Sequence, residues 1–113
     1  MDGTYAALDI DPRILSRLNC PLEEIEKLCR KFSVIELAVF GSVVRDDFRN
    51  DDSDIDFLYL MDPEARIGGW KFMEFHLALE ELTHRKVDLV SKKWMGKRFE
   101  TAVLPQARVI YAA

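Results

Sequence analysis

The sequence predicts an α/β domain, in which a small mixed β-sheet is flanked by helices. Short apolar runs of strand length alternate with amphipathic segments of helical period along the 113 residues. Turn residues such as Gly41, Pro63 and Pro105 separate these segments. Hydrophobic residues make up 49% of the chain and charged residues 32%, which is a globular composition that supports one core.

The first predicted elements are two helices and a strand. Asp11-Pro12 has the pattern of a helix N-cap followed by proline, and it opens a short helix that runs through Leu18. Apolar residues then recur at three- and four-residue steps, which indicates an amphipathic helix: Leu22, Ile25, Leu28, Cys29 and Phe32. The apolar run at residues 34–40 is typical of a strand.

The later elements alternate between strands and helices. Gly41-Ser42 forms a turn, residues 43–46 a brief helix and residues 48–53 a polar loop. The pattern then predicts a strand, a long helix, a strand, a helix and a last strand: residues 54–61, 70–84, 86–91, 92–103 and 108–111.

The domain organisation follows from this order. We expect residues 1–21 to form an N-terminal arm and short helix, with a loose arm at residues 1–10, and residues 22–113 to form the domain itself. The start has no signal-peptide pattern and no apolar run could span a membrane, so the expected location is cytoplasmic. Cys20 and Cys29 form no disulfide framework. A net charge of −4 argues against direct nucleic-acid binding.

Six aspartates lie in the stretch from residue 46 to residue 56, between a Gly-Ser pair and an apolar run. Asp54 and Asp56 are two residues apart on a predicted strand, so both carboxylates point to one face. Two ionised carboxylates on one face repel each other, and a divalent cation relieves that repulsion. Mg²⁺ is commonly held by one or two carboxylates together with water and substrate phosphates. The pair therefore predicts a magnesium site.

Two further features belong to the same predicted site. Asp88 interrupts the apolar strand KVDLV, and it faces the same cleft if this strand lies beside the preceding one. Three carboxylates can then bind two metal ions and activate a hydroxyl group. Gly41 and Ser42 follow the first strand and open a short helix, where backbone N–H groups attract phosphate.

The acidic run also has simpler interpretations. The remaining aspartates, Asp46, Asp47, Asp51 and Asp52, fit a solvated turn, which is what such runs usually form. An EF-hand calcium loop is excluded because Phe57 stands where the loop needs glycine, and no glutamate closes it.

The stretch FGSVVRDD, followed by SDIDFL and then RKVDLV, closely resembles the minimal nucleotidyltransferases of the DNA polymerase β-like superfamily. These are small antitoxins that act with HEPN-domain toxins. The resemblance covers roughly residues 22–111 and implies a single-domain minimal nucleotidyltransferase fold. It implies that Gly41 and Ser42 hold the β- and γ-phosphates of ATP, and that Asp54, Asp56 and Asp88 bind Mg²⁺, two ions per site.

The implied reaction is transfer of AMP from ATP to a tyrosine hydroxyl of a partner HEPN ribonuclease toxin. Pyrophosphate leaves, Asp88 assists deprotonation of the hydroxyl, and the toxin is silenced. The chain departs from the family pattern in two places. Eleven residues instead of ten separate Gly41-Ser42 from Asp54, and Arg45 is followed by Asp46 where many relatives have glycine. Arg45 can meet a phosphate or pair with Asp47, and the sequence favours neither.

Two other functions stay open at this point. The fold can act as a non-catalytic antitoxin that neutralises its toxin by direct binding, or as a transferase for a small molecule. The apolar residues of the long helix cover more than one stripe, so they either meet a partner or wrap a small core. His76 and His84 have no ligand spacing with the acids, and both are interpreted as ordinary helix residues.

Overall fold

The computed structural model describes residues 10–50 and 52–113. This part of the chain holds four strands, four α-helices and one 3₁₀ turn, in the predicted order. The elements are α1 (Pro12–Arg17), α2 (Leu22–Lys31), β1 (Val34–Phe40), the 3₁₀ turn (Gly41–Val44), β2 (Ile55–Met61), α3 (Gly69–Thr83), β3 (Val87–Ser91), α4 (Lys97–Val103) and β4 (Arg108–Ala112).

The four strands form one mixed sheet in the order β3-β2-β1-β4. Strand β1 pairs antiparallel with β2 and with β4, whereas β2 and β3 are parallel and are joined through α3. The predicted fold class is therefore confirmed. This topology brings the end of β1 next to the beginnings of β2 and β3, because β1 runs opposite to both of them.

The two faces of the sheet are covered unequally. Helices α1, α2 and α3 pack on one face and bury the larger core, to which they contribute Ile14, Leu18, Ile25, Cys29, Phe75 and Leu79. The other face carries a small cluster, in which Val103 of α4 packs on strand residues: Ala38, Phe40 and Leu58. Since side chains alternate along a strand, Asp54 and Asp56 lie on the same face as Leu58. They therefore project on the face that, among the described residues, is covered only by the short helix α4.

The N-terminal helix begins as the sequence predicts. The Asp11 carboxylate accepts a hydrogen bond of 2.8 Å from the Arg13 N–H, and Pro12 is the first residue of α1. Ile14 and Leu18 anchor α1 in the larger core. The boundary at residue 21 stays a prediction, and most of the predicted loose arm, residues 1–9, lies outside the described residues.

Two predicted helices differ from the structure by more than one residue at an end. The brief helix predicted at residues 43–46 is a 3₁₀ turn that already begins at Gly41. The helix predicted at residues 92–103 begins only at Lys97. Lys92 instead continues the pairing of β3 with β2, since its backbone N–H donates to the Tyr59 carbonyl. Its ammonium group forms an ion pair with Glu36 at 2.7 Å. Tertiary pairing thus displaces the start of α4.

The apolar residues of α3 divide between the core and the solvent. Phe75 and Leu79 are fully buried, whereas Trp70, Met73 and Leu77 are 82%, 51% and 56% exposed. Core packing therefore accounts for only part of the apolar surface of α3. Within the described residues, no helix is long and apolar enough to span a membrane.

Candidate active site

The three aspartates singled out in the sequence lie together at one end of the sheet. Asp54 immediately precedes β2, Asp56 belongs to β2, and Asp88 belongs to β3. Asp56 and Asp88 are direct partners in the parallel pair of strands. All three line an open cleft of about 470 Å³, together with Ser42, Arg45, Asp47, Arg49, Asp52 and Ser53.

Asp56 has the most perturbed environment of the three. Its pKa is raised from an ordinary value of 3.8 to about 6. Burial is the largest cause, followed by the hydrogen bond and the negative charge of Asp88 and then by the charge of Asp54. The positive charge of Arg45 acts in the opposite direction. The charge of Arg45 therefore does not offset the burial and the neighbouring carboxylates that raise the pKa of Asp56.

The donor atoms of the cleft suit a divalent cation that also has non-protein ligands. Among the described residues, no basic side chain forms an ion pair with Asp54, Asp56 or Asp88. In the same part of the chain, no three acidic, histidine or cysteine side chains are arranged closely enough to enclose a metal ion by themselves. Mg²⁺ typically takes one or two carboxylates and completes its shell with water and phosphate. The residues present fit that mode of binding.

Gly41 lies directly against the carboxylate of Asp56. Its φ of +76° lies in the left-handed region, and a Cβ at this position would collide with the carboxylate of Asp56. Both the backbone conformation and the close approach therefore require glycine. The absence of a side chain lets the 3₁₀ turn lie directly against the acidic cleft, where Gly41 itself is buried.

Gln106 is a site residue that sequence reasoning missed. Its side-chain oxygen accepts the Gly41 N–H at 3.1 Å and an Arg45 N–H at 3.4 Å, while its amide group donates to the Ala102 carbonyl. The Gly41 N–H that was predicted to attract phosphate therefore already has a protein acceptor. A lone glutamine after Pro105 carries no sequence signal for this contact, because the contact joins residues 65 positions apart.

Of the two contacts that the sequence left open for Arg45, the structure shows the ion pair with Asp47, and the phosphate contact stays a prediction. Arg45 lines the cleft and also pairs with Asp47, with its Nε 3.1 Å from the nearer carboxylate oxygen. The same ion pair holds the pKa of Asp47 below its usual range. Both side chains are more than half exposed, so Arg45 can exchange Asp47 for another anion at small cost.

Two arginines hold the loop between the 3₁₀ turn and β2. The guanidinium groups of Arg17 and Arg85 lie 5.0 and 4.6 Å from the centre of the Phe48 ring. Arg17 also donates to the carbonyl groups of Val43 and Arg45, at 3.0 and 2.8 Å. Arg85 donates to the Asn50 carbonyl at 2.8 Å. Sequence reasoning missed this clamp, which depends on contacts between distant segments.

Asp46, Asp47 and Asp52 are exposed, as the solvated-turn interpretation requires. Asp46 pairs with Arg13 at 3.2 Å, and Asp52 pairs with Arg49 at 2.7 Å. Asp51 lies outside the described residues. Exposed ion pairs of this kind contribute little to stability, about 1 kcal/mol or less.

Known proteins resemble this chain in sequence. Residues 22–110 match the nucleotidyltransferase domain family. The protein adenylyltransferase MntA of Thermococcus cleftensis is 38% identical over 98 residues, which are 80% of this chain and 94% of that protein.

Solved structures show the same fold. A chain of a toxin–antitoxin crystal structure with AMP-PNP superposes with a TM-score of 0.65 and 21% identity, over 81% of this chain and 73% of that chain. A chain from the complex of tri-AMPylated Shewanella oneidensis HEPN toxin with MNT antitoxin superposes with a TM-score of 0.58 and 20% identity, over 81% and 70%. The resemblance expected from the sequence is confirmed.

Proposed function

The chain belongs to the nucleotidyltransferase domain family, and from this premise we propose that it is an Mg²⁺-dependent protein adenylyltransferase. It transfers AMP from ATP to a tyrosine hydroxyl of a partner HEPN ribonuclease toxin and silences that toxin. One observation carries the proposal: Asp56 and Asp88 are strand partners, and the backbone of Gly41 lies against Asp56. The two acids that we assign to the metal thus lie beside the glycine that opens the 3₁₀ turn.

The phosphate side of the site is formed by the segment after β1. Ser42 lines the cleft with a hydroxyl group and Arg45 supplies the positive charge, while Gly41, whose N–H is bonded to Gln106, adds no side chain. We assign the β- and γ-phosphates of ATP to this segment. The crystal structure with AMP-PNP supports a nucleotide substrate, because its fold is shared by this chain.

Asp54, Asp56 and Asp88 are assigned as the metal-binding acids, for two ions per site. Bound Mg²⁺ would neutralise charge on the phosphates and on the developing transition state. In the reaction, the hydroxyl oxygen of the acceptor attacks the α-phosphorus, and the bond between the α-phosphorus and the bridging oxygen breaks. Pyrophosphate is the leaving group, and the exposed carboxylate of Asp88 accepts the hydroxyl proton.

The partner assignment rests on the relatives. The Thermococcus relative is named as a protein adenylyltransferase, and the superposed structures include a HEPN toxin that carries three AMP groups. We therefore place the acceptor on a HEPN-family protein, which we expect to meet this chain in the cytoplasm. The exposed cleft agrees with such an acceptor, since Asp54 and Asp88 are both accessible from solvent.

The test is label transfer from ATP to a purified HEPN-family toxin as the partner. ATP labelled at the α-phosphate should label the partner in the presence of Mg²⁺, and ATP labelled at the γ-phosphate should not. The double variant Asp54→Asn/Asp56→Asn should abolish the transfer and the neutralisation of toxicity. Label from the γ-position would show a kinase reaction instead. Neutralisation by the double variant, with no label from wild type, would favour an antitoxin that acts by binding alone.

A further inference from the structure

Strand β3, which carries Asp88, lies at the edge of the sheet. The Lys86 carbonyl accepts the Ile55 N–H at 3.0 Å, so residue 86 faces β2. Backbone groups of successive strand residues point to opposite sides, and the N–H and carbonyl of Val87 therefore point away from β2. At an edge, such groups would ordinarily be left to water.

Two side chains of α3 bind both of these backbone groups. The Glu80 carboxylate accepts the Val87 N–H at 2.9 Å, and His76 Nε2 lies 2.7 Å from the Val87 carbonyl oxygen. Because a carbonyl oxygen only accepts, His76 must carry its proton on Nε2. The two side chains are one helical turn apart, with 3.5 Å between the His76 Nε2 and a Glu80 carboxylate oxygen.

The geometry points to His76 and Glu80 as positioning residues for Asp88. Three sets of contacts hold Val87. The residues on either side of it pair with β2, and His76 and Glu80 bind its backbone groups at the outer edge of β3. Its side chain is buried in the larger core. Asp88 follows directly in the chain. Because the backbone of Val87 cannot shift outward, the Asp88 carboxylate is kept in its position opposite Asp56. His76, expected to be an ordinary helix residue, takes part in this clamp.

This inference rests on the proposed function, because positioning is meaningful only if Asp88 takes part in AMP transfer. The clamp needs an acceptor at residue 80 and a donor at residue 76, and it needs no charge at either. Glu80→Gln and His76→Gln keep these groups, whereas Glu80→Ala and His76→Phe remove them. The conservative variants should therefore behave like wild type, and the other two should not.

The experiment measures AMP transfer to the partner toxin at saturating ATP and Mg²⁺, well below each variant's unfolding temperature. Glu80→Ala and His76→Phe should lower kcat about 10- to 100-fold, as is usual when support of a metal-binding residue is lost. The KM for ATP should change little, since the phosphate segment is untouched. Glu81→Ala is the matched control, because Glu81 is an exposed residue of the same helix.

Amide hydrogen exchange at Val87 gives a second readout that does not depend on activity. Its N–H should exchange faster in Glu80→Ala than in wild type, with Glu80→Gln close to wild type. Wild-type kcat in Glu80→Ala would overturn the positioning role while leaving the proposed function intact. Equal losses in Glu80→Gln and Glu80→Ala would also overturn it, since charge would then matter and not the acceptor. Absence of AMP transfer by wild type would overturn the proposed function and this inference with it.

Discussion

Asp56 and Asp88 stand opposite each other in adjacent parallel strands, although 31 residues separate them along the chain. The burial of Asp56 raises its pKa, and Asp88 raises it further by a hydrogen bond and by its charge, to about 6. The fold thus holds two carboxylates in an arrangement that costs stability when both are ionised. Such an arrangement is typical of a site in which a bound cation completes the charge balance.

Loss of the carboxylate of Asp54 or of Asp56 should abolish catalysis. Asp54→Asn and Asp56→Asn should each lower the rate of AMP transfer at least about 100-fold, because carboxylate ligation of metal supplies several kcal/mol of transition-state stabilisation. Steady-state kinetics with the purified toxin measures this. Asp46→Asn is the control, since it removes an equal charge from the same loop at an exposed ion pair. Activity within threefold of wild type in Asp56→Asn would contradict the site assignment.

The metal-free protein should become less stable as the pH rises through the pKa of Asp56. Its folded pKa of about 6 lies above the ordinary value of 3.8, so the native state binds this proton more tightly than the unfolded state does. The ionisation of Asp56 should therefore lower the free energy of unfolding between about pH 4 and pH 6. Above about pH 6 this group should cause no further change.

Asp56→Asn should consequently be more stable than wild type at pH 7.5 without metal. After allowance for solvent screening, the expected gain is about 1 kcal/mol, or roughly 4 °C in Tm. Thermal unfolding with and without Mg²⁺ tests this, since Mg²⁺ should raise the Tm of wild type more than that of the variant. A lower Tm for the variant in EDTA would contradict the electrostatic account.

Glycine should be required at residue 41. Gly41→Ala places a Cβ against the Asp56 carboxylate and forces alanine to adopt a φ of +76°. We expect a loss of about 1–3 kcal/mol in the free energy of unfolding and at least a tenfold loss of activity. Chemical denaturation and label transfer measure the two effects. Gly69→Ala is the matched control, since its Cβ meets no atom within 4 Å at the first turn of α3 and should leave both values near wild type.

Arg45 should act mainly on nucleotide binding. Arg45→Gln removes a charge that lines the cleft, and we expect the KM for ATP to rise about tenfold, the cost of one charge-assisted hydrogen bond. The control is Arg66→Gln, at an exposed arginine before α3, which changes the net charge equally. If both variants shift KM to the same extent, the effect is a general one of net charge, and Arg45 makes no phosphate contact.

Much of the fold was predictable because its signals are local. The bounds of β1 agree with the prediction, since an apolar run of strand length ends at Gly41, where the chain must turn. The shared face of Asp54 and Asp56 follows from the two-residue period of a strand. The start of α4 was predicted wrongly because the hydrogen bond from the Lys92 N–H to the Tyr59 carbonyl overrides the local helical pattern.

The amino-acid sequence by itself determined the order of the elements, the pair Asp54 and Asp56, and the glycine beside them. Only the tertiary structure decided that β3 lies parallel to β2, which brings Asp88 opposite Asp56. The tertiary structure also decided the hydrogen bond between Gln106 and Gly41, and the hydrogen bonds that His76 and Glu80 form with the backbone of Val87. The periods of strands and helices repeat over a few residues, so a short stretch of sequence is enough to show them. Strand pairing depends on which buried faces pack together, so its register emerges only when the whole core assembles.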